Sequence, residues 1–385
     1  MTQAVARLLS RAAEVAGADW DRLAGGGNPF SSHAFLTSVE DSGSASERAG
    51  WRPLHIVVDG TDGRPAGILP GYLKSHSQGE YVFDHAWADA WARAGLDYYP
   101  KLQHSVPFTP ATAPKLLAPD PEVRALLVAA SSSVIRENGL SSAHATFVNE
   151  ADAADFAAAG WMERNDVQYH WFNEGYAGFS GFLGALSSRK RKVLRKEREA
   201  ALAGVDEIVW LTGSDLTESA WDAFWDFYQD TGSRKWGRPY LTRAFFSRIG
   251  ERMPERVVLV MARRGGRYVA GALNFLGDDC LYGRQWGCVE DIPFLHFELC
   301  YHQAIDIACA RGLARVEAGA QGAHKVARGY RPVLTRSFHD VADARFRAAV
   351  ADYLQRERPA VLGEAFALAE GLPFREGVAP PAAGL

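Results

Sequence analysis

The stretch Gly329-Tyr330-Arg331-Pro332-Val333-Leu334-Thr335-Arg336-Ser337-Phe338-His339 decides the reading, because it has a counterpart 169 residues earlier. Gly160-Trp161 is followed there by Tyr169-His170 at the same spacing. Three further echoes precede it in the same order. Asn138-Gly139-Leu140 returns as Arg311-Gly312-Leu313 at an offset of 173. His55-Ile56-Val57-Val58, with Gly63-Arg64 and Ala66-Gly67-Ile68-Leu69, returns as Val257 to Val260, with Gly266-Arg267 and Ala270-Gly271-Ala272-Leu273, at an offset of about 204. Pro29-Phe30 with Ala34-Phe35 returns as Pro239-Tyr240 with Ala244-Phe245 at an offset of 210. Four ordered echoes imply a duplicated folding unit. The fall in offset from 204 to 173 assigns about 31 extra residues to the first copy, around Trp87 to Pro121.

Within each copy the periodicities call for a helix, antiparallel strands, a helix and two further strands. In the second copy Trp221, Phe224, Trp225, Phe227 and Tyr228 mark the first helix. Val257 to Met261, the Gly265-Gly266 turn and Tyr268 to Phe275 form a hairpin. A strand from Cys280 to Trp286, a long helix from Phe294 to Ala310 stopping at Gly312, and strands near Ala314 to Ala318 and Thr335 to Asp340 complete it. This is an α+β layout of helices on a mixed sheet. Residues 1–175 and 176–358 form the two domains, and 359–385 a helical or flexible tail.

At 385 residues, 47% hydrophobic and 23% charged, the composition is that of a globular chain and not a disordered one. No apolar run is long enough to span a bilayer, and no signal peptide is visible at the N-terminus. The four cysteines lie between Cys280 and Cys309 at spacings that match no zinc motif, and read as reduced structural thiols in a cytoplasmic protein. The net charge of −4 argues against general coating of nucleic acid. No Gly-x-Ser-x-Gly, P-loop, His-Glu-x-x-His or EF-hand pattern occurs.

The element order resembles the GNAT acyltransferase fold, and two copies in one chain resemble the Fem family of aminoacyl transferases. The local wording resembles the Fem-like predicted N-acyltransferases of the peptidoglycan biosynthesis/recognition group. The first copy contributes Lys74-Ser75-His76-Ser77-Gln78-Gly79-Glu80-Tyr81-Val82-Phe83-Asp84, Tyr99-Pro100-Lys101-Leu102-Gln103 and Val106-Pro107-Phe108-Thr109-Pro110. The second contributes Tyr282-Gly283-Arg284-Gln285-Trp286-Gly287, His296-Phe297-Glu298-Leu299-Cys300-Tyr301 and Glu317 to Lys325. The likeness spans residues 28 to 356.

The resemblance implies transfer of an activated acyl or aminoacyl group to a primary amine of a small molecule or cell-wall precursor, with no tightly bound cofactor. A non-catalytic module that binds such a precursor is the alternative. GNAT enzymes hold acyl-CoA on a Gly-rich loop at a helix N-terminus. Here Val289-Glu290-Asp291-Ile292-Pro293 leads into that helix instead, which favours aminoacyl-tRNA over acyl-CoA as donor.

The transfer needs a base, a polarising group and a hold on the donor. Glu317, at a strand end, is the first candidate base and His324 the second. Gln321, Lys325, Arg328 and Tyr330 share their Gly-rich turn, where Lys325 and Arg328 can hold a carboxylate or phosphate. Arg284 and Trp286 alternate along a strand and share a face, either as a ligand clamp or as a buried structural pair. Glu298 reads as a polar wall of the acceptor pocket. His296, Glu298 and His302 tempt a metal reading, since Glu298 and His302 are four apart on a helix, but they lack a partner motif, so no metal is expected.

Tyr81, Asp84, Trp87, Lys101 and Gln103 lie in or near the extra segment, which either walls an acceptor cleft between the copies or fills an interdomain core. Arg189-Lys190-Arg191-Lys192-Val193-Leu194-Arg195-Lys196-Glu197-Arg198 holds seven basic residues and one acid, and Arg189, Lys190, Arg191, Lys192 and Arg195 are expected to hold phosphates of tRNA or of a nucleotide- or lipid-linked acceptor. A solvated helix with internal ion pairs, or a peripheral membrane contact, is the other reading of that run.

Overall fold

The computed structural model describes residues 6–234, 239–319 and 322–378, so Gln321 and the end of the tail lie outside the described residues. The strands begin with β1 (Ala6–Leu9), β2 (Trp51–Pro53), β3 (His55–Asp59), β4 (Pro65–Leu69), β5 (Tyr72–Lys74), β6 (Lys101–His104) and β7 (Ser142–Ala145). They continue with β8 (Met162–Phe172), β9 (Glu207–Leu211), β10 (Val257–Arg264), β11 (Arg267–Leu276), β12 (Cys280–Cys288), β13 (Arg315–Glu317) and β14 (Arg331–Val341).

The described chain divides into two compact units, one of residues 6–166 with 335–361 and one of 167–334 with 362–378. The sequence reading puts one cut near residue 175. The divisions fall instead inside β8, inside β14 and inside the helix Ala344–Glu370. The last strand of each repeat is therefore shared out. Residues 170–172 of β8 pair with β13 in the second unit, and residues 338–341 of β14 pair with β7 in the first.

In the first unit a bent hairpin serves two sheets. Its outer half, β3 with β4, joins β1, while its inner half, β2 with β5, joins β6 and β7. Pro53 and Pro70 stand at the bend, and proline cannot donate to a ladder. Leu54 N–H donates to Gly71 O (2.8 Å) across it. Gly71 is required there, because a Cβ would stand 2.7 Å from Leu54 O and 2.9 Å from His104 Nδ1. The core gathers Ile56, Leu69, Leu102, Leu127, Ile135, Phe156 and Phe338. The helix Pro121–Glu137 supplies its share at helical spacing through Leu127, Val128, Val134 and Ile135, and Asp120 caps it by accepting from Glu122 N–H.

In the second unit the order is β8, β13, β12, β11, β10, β9. Only β12 and β13 run parallel, joined by a crossover through the helical stretch from Leu295 to Ala310. That stretch contains a π turn at Glu298–His302. The expected hairpin, the aromatic helix (Glu218–Arg234) and the strand from Cys280 are present. Trp221, Phe224 and Phe227 of that helix are buried, and its backbone comes so close to β12 that a Cβ on Gly287 would stand 2.2 Å from Phe227 O. The tail folds back, with Ser187 N–H donating to Pro373 O and Arg375 N–H to Ala185 O. Among the described residues no helix is long and apolar enough to cross a membrane.

Candidate functional site

The parallel pair β12 and β13 stays in register for three residues only, ending at Tyr282 opposite Glu317. Beyond that point β13 stops while β12 continues on β11 to Cys288. The strands therefore part. Opposite Leu273 of β11, β12 carries two residues, Arg284 and Gln285, because Gly283 pairs with Asn274 and Trp286 with Ala272. This bulge breaks the simple alternation expected for Arg284 and Trp286, yet both residues line the same cavity. The cavity has a volume of about 90 Å³, and His296, Cys300, Tyr301 and Ala318 complete the wall that matters here.

Lys325 stands near this opening. It is 3% exposed, donates through Nζ to Gly319 O (3.0 Å) and lies 5.6 Å from the centre of the Tyr169 ring. Burial pulls its pKa down to about 8, Cys300 opposes that shift and the positive charge of Arg284 adds to it. His324 is exposed, and its Nε2 meets the Tyr301 hydroxyl at 2.9 Å. Tyr330 is buried, with its hydroxyl 3.5 Å from Tyr301 O. Arg328 is already committed: Nη2 donates to Glu197 Oε2 (2.7 Å), Nη1 to His324 O (3.0 Å), and the guanidinium lies 3.4 Å from the centre of the Phe297 ring. It ties the Gly-rich turn to the basic helix.

Glu317 is buried at the end of β13. Arg315 Nε donates to its Oε1 (3.4 Å), and His170 Nε2 lies 4.0 Å from Oε2. Burial, with Arg315 and Lys325 nearby, lowers the His170 pKa to about 3, so the imidazole is neutral. Glu298 is absent from the cavity wall. It is fully buried and accepts from His302 Nδ1 (2.8 Å) and Gln303 Nε2 (2.7 Å), with Arg198 Nε at 3.4 Å. The sequence does not single out Tyr301 or Cys300 as site residues, and weighs His296 only as a metal ligand. Their spacing of four to five along one helix was the signal available.

The first-copy candidates lie in the first unit, where Lys101 and Asp84 pair with each other. Lys101 is fully buried and donates to Ser77 Oγ (2.9 Å), Glu80 Oε2 (2.7 Å) and Asp84. Tyr98 donates to Asp84 Oδ2 (2.6 Å) and meets His144 Nε2 at 3.3 Å, and His144 Nδ1 faces His339 Nδ1 at 2.7 Å. Burial works to neutralise Lys101, but Glu80 and Asp84 win and hold its pKa above the usual value. Asp84 is likewise held low by Lys101 against its burial. Trp87 packs edge-on to His339 at 4.9 Å, and Gln103 donates to Thr146 Oγ1 (3.2 Å). Tyr81, between the two carboxylates in sequence, has a positive φ of 62°. Lys101 to His104 form β6, a regular strand of the sheet. The extra residues are therefore the pieces on either side of it, including the helix His85–Arg93.

The basic run forms the helix Ser188–Ala203, starting at the expected Ser187-Ser188 step. Leu194 and Ala201 are its buried face. Arg189, Lys192 and Lys196 recur at helical spacing on the other side, with Arg195 beside them and Lys190 and Arg191 half-buried. Among the described residues Arg189, Lys190, Lys192, Arg195 and Lys196 form no ion pair. Arg191 donates to Leu186 O (3.2 Å).

Two units, each with a parallel strand pair bridged by a helix, make this a tandem GNAT-like fold. The same fold is found in FemX, which is 10% identical with a TM-score of 0.52 over 87% of this chain and 97% of its own. L-PGS from Bacillus licheniformis matches at 10% identity and a TM-score of 0.52 over 86% and 96%. A conserved protein of unknown function from Bacteroides thetaiotaomicron matches at 12% identity and a TM-score of 0.51 over 87% and 99%. No protein of curated function matches the sequence. The profile of the FemAB-like family, described as peptidoglycan biosynthesis/recognition, matches residues 11–376, and the chain belongs to that family.

Proposed function

We propose that this protein is an N-acyltransferase that moves an activated acyl or aminoacyl group onto a primary amine, at the point where β12 and β13 part. The observation that carries this reading is the cavity there, with Arg284 in its wall, Lys325 buried near Arg284 and Cys300, and His324 bonded to Tyr301. The amine nitrogen attacks the donor carbonyl, and its proton passes to the imidazole of His324, whose ring is open to solvent and bonded to the Tyr301 hydroxyl. Glu317 is less suited to that step, because it is sealed beside Arg315 and His170. The charge that develops on the carbonyl oxygen is stabilised by Lys325 and Arg284. The tetrahedral adduct then expels the donor's oxygen or sulfur, which takes the proton from His324 as the carbon–oxygen or carbon–sulfur bond breaks, with no covalent enzyme intermediate.

Aminoacyl-tRNA is the donor we favour. Phe294 caps the crossover helix without a side-chain hydrogen bond at φ 62°, and the lead-in Val289-Glu290-Asp291-Ile292-Pro293 offers a pyrophosphate no Gly-rich cradle. The counterpart helix in the first unit is capped by Asp120. The unpaired stripe Arg189, Lys192 and Lys196 suits the phosphates of a tRNA. The family description supports a cell-wall precursor as the amine-bearing acceptor.

The test offers alanyl-tRNA or acetyl-CoA with a lysine-bearing cell-wall precursor and reads the product by mass. Product from alanyl-tRNA is expected. Lys325→Met and His324→Gln should each lower kcat by about 100-fold with the fold intact, while Glu317→Gln should retain most of it. Reversing Arg189, Lys192 and Lys196 to Glu should raise KM for the tRNA and flatten its salt dependence. Precursor binding without product from either donor would instead identify a binding module.

A further inference from the structure

A cavity of about 410 Å³ opens at the other end of the crossover helix, and the transfer reaction makes no use of it. Gly178, Arg198, Trp210, Gln303, Asp306 and Cys309 form the parts of its wall that matter. Its size is that of a small-molecule site. Nearly every charged or polar group in the wall is engaged within the protein. Asp306 accepts from Phe179 N–H (2.8 Å) and from Arg198 Nη2 (2.7 Å). Gln303 donates to Glu298 Oε1 (2.7 Å) and accepts from Trp210 Nε1 (2.7 Å). Arg198 Nε reaches Glu298 Oε1 at 3.4 Å. One donor edge is left over: Arg198 Nη1 makes no hydrogen bond among the described residues. The Trp210 ring, 39% exposed, stands in the same wall.

We infer that this cavity binds a small molecule with a carboxylate or phosphate group, held by Arg198 Nη1, and an apolar body laid on Trp210. A guanidinium with a free edge selects an anion, and the helix that carries Arg198 is strongly basic, so its field favours the same sign. The bound molecule is an effector. Glu298 opens the π turn Glu298–His302, and that turn carries Cys300 and Tyr301 to the smaller cavity where β12 and β13 part. Of the three donors around Glu298, Arg198 is the most distant, at 3.4 Å against 2.7 and 2.8 Å. An anion that draws Arg198 toward itself loosens this contact first and biases the turn.

The binding claim stands apart from the proposed transfer, whereas the effect on the reacting cavity rests on it. The test therefore reads binding by thermal shift, with benzoate, phenyl phosphate and inorganic phosphate as probes. A saturable rise in Tm is expected with benzoate or phenyl phosphate, whichever anion the site prefers, and a weaker one with inorganic phosphate. Ala310→Trp fills the cavity from an exposed wall position without cutting the Arg198 ion pairs, and should weaken the apparent affinity at least tenfold. Ala177→Trp does the same from another wall position, in case one variant fails to fold. An unchanged response in a folded variant, or no saturable response to any probe in the wild type, would overturn the assignment.

Discussion

The same strand parting occurs twice in the chain and is treated in opposite ways. In the first unit β6 and β7 run parallel through Leu102 opposite Ala143, Gln103 opposite His144 and His104 opposite Ala145. In the second unit β12 and β13 do so through Cys280, Leu281 and Tyr282. Past β6, however, the first unit's own chain enters the gap. Ala113 pairs in parallel with Val148, and Leu117 pairs antiparallel with Ile68 of β4. By the repeat offsets Ile68 corresponds to Ala272 and Ala145 to Ala318, and both of those counterparts line the open cavity. The gap is thus a property of the shared framework. What occupies it is a property of the extra residues in the first copy, whose backbone stands where the second copy leaves room for a ligand.

The buried charges differ in the same sense. Lys101 in the first unit is locked between two carboxylates, while Lys325 in the second has a carbonyl partner and an aromatic neighbour. Lys101→Met leaves Glu80 and Asp84 buried with one fewer cation, which should destabilise the protein by about 3–5 kcal/mol. Chemical denaturation measures it. Adding Glu80→Gln and Asp84→Asn should recover much of the loss. A Lys101→Met protein as stable as the wild type would mean that water reaches Glu80 and Asp84 and that the network is less closed than its contacts indicate.

Much of the framework is legible in the residues themselves. The aromatic spacing of Trp221, Phe224 and Phe227, the Gly265-Gly266 turn and the Ser187-Ser188 helix start all lie where local chemistry puts them. The choice of strand partners is not legible. Tyr169-His170 and Phe338-His339 announce themselves as equivalent, but His339 meets His144 from 195 positions away, and propensity does not name a partner at that distance. Glu298 shows the same limit. Its i,i+4 relation to His302 is visible, whereas the arrival of Arg198, which makes it a buried hub and not a pocket wall, depends on how two helices pack. The bulge at Arg284-Gln285 is one residue of mismatch in a ladder, and neither residue type signals it. The filled gap was visible only as surplus length.

The segment that fills the gap carries its own lysine, which sharpens the contrast by pH. Lys115 is buried and donates through Nζ to Ala113 O (2.7 Å) and Phe147 O (3.1 Å), and burial lowers its pKa to about 8 with Asp152 opposing. The folded protein releases this proton near pH 8, while the unfolded chain keeps it until near pH 10.5. Between those values the unfolded state binds more protons, so this residue makes stability rise with pH, by up to about 3 kcal/mol over the window. Lys115→Met should remove that component of the slope in denaturation series from pH 7.5 to 10.5. Equal slopes in the two proteins would show that Lys115 is charged and solvated, and the gap around it less tightly closed than the contacts indicate.

The smallest change in stability is expected where the second unit is made to imitate the first. Ala318 is half-buried at the edge of the open cavity, and Leu there adds three carbons to a space of about 90 Å³. Because the added group enters an existing opening and not a packed core, the cost should stay within about 1 kcal/mol. The consequence for transfer should be far larger than for folding. A donor carbonyl displaced by about 1 Å from Lys325 and Arg284 loses its alignment, and a fall of roughly 100-fold in kcat/KM is expected with Tm nearly unchanged. Undiminished transfer by Ala318→Leu would place the reaction elsewhere in the chain, and the open gap would then be no more a site than the filled one.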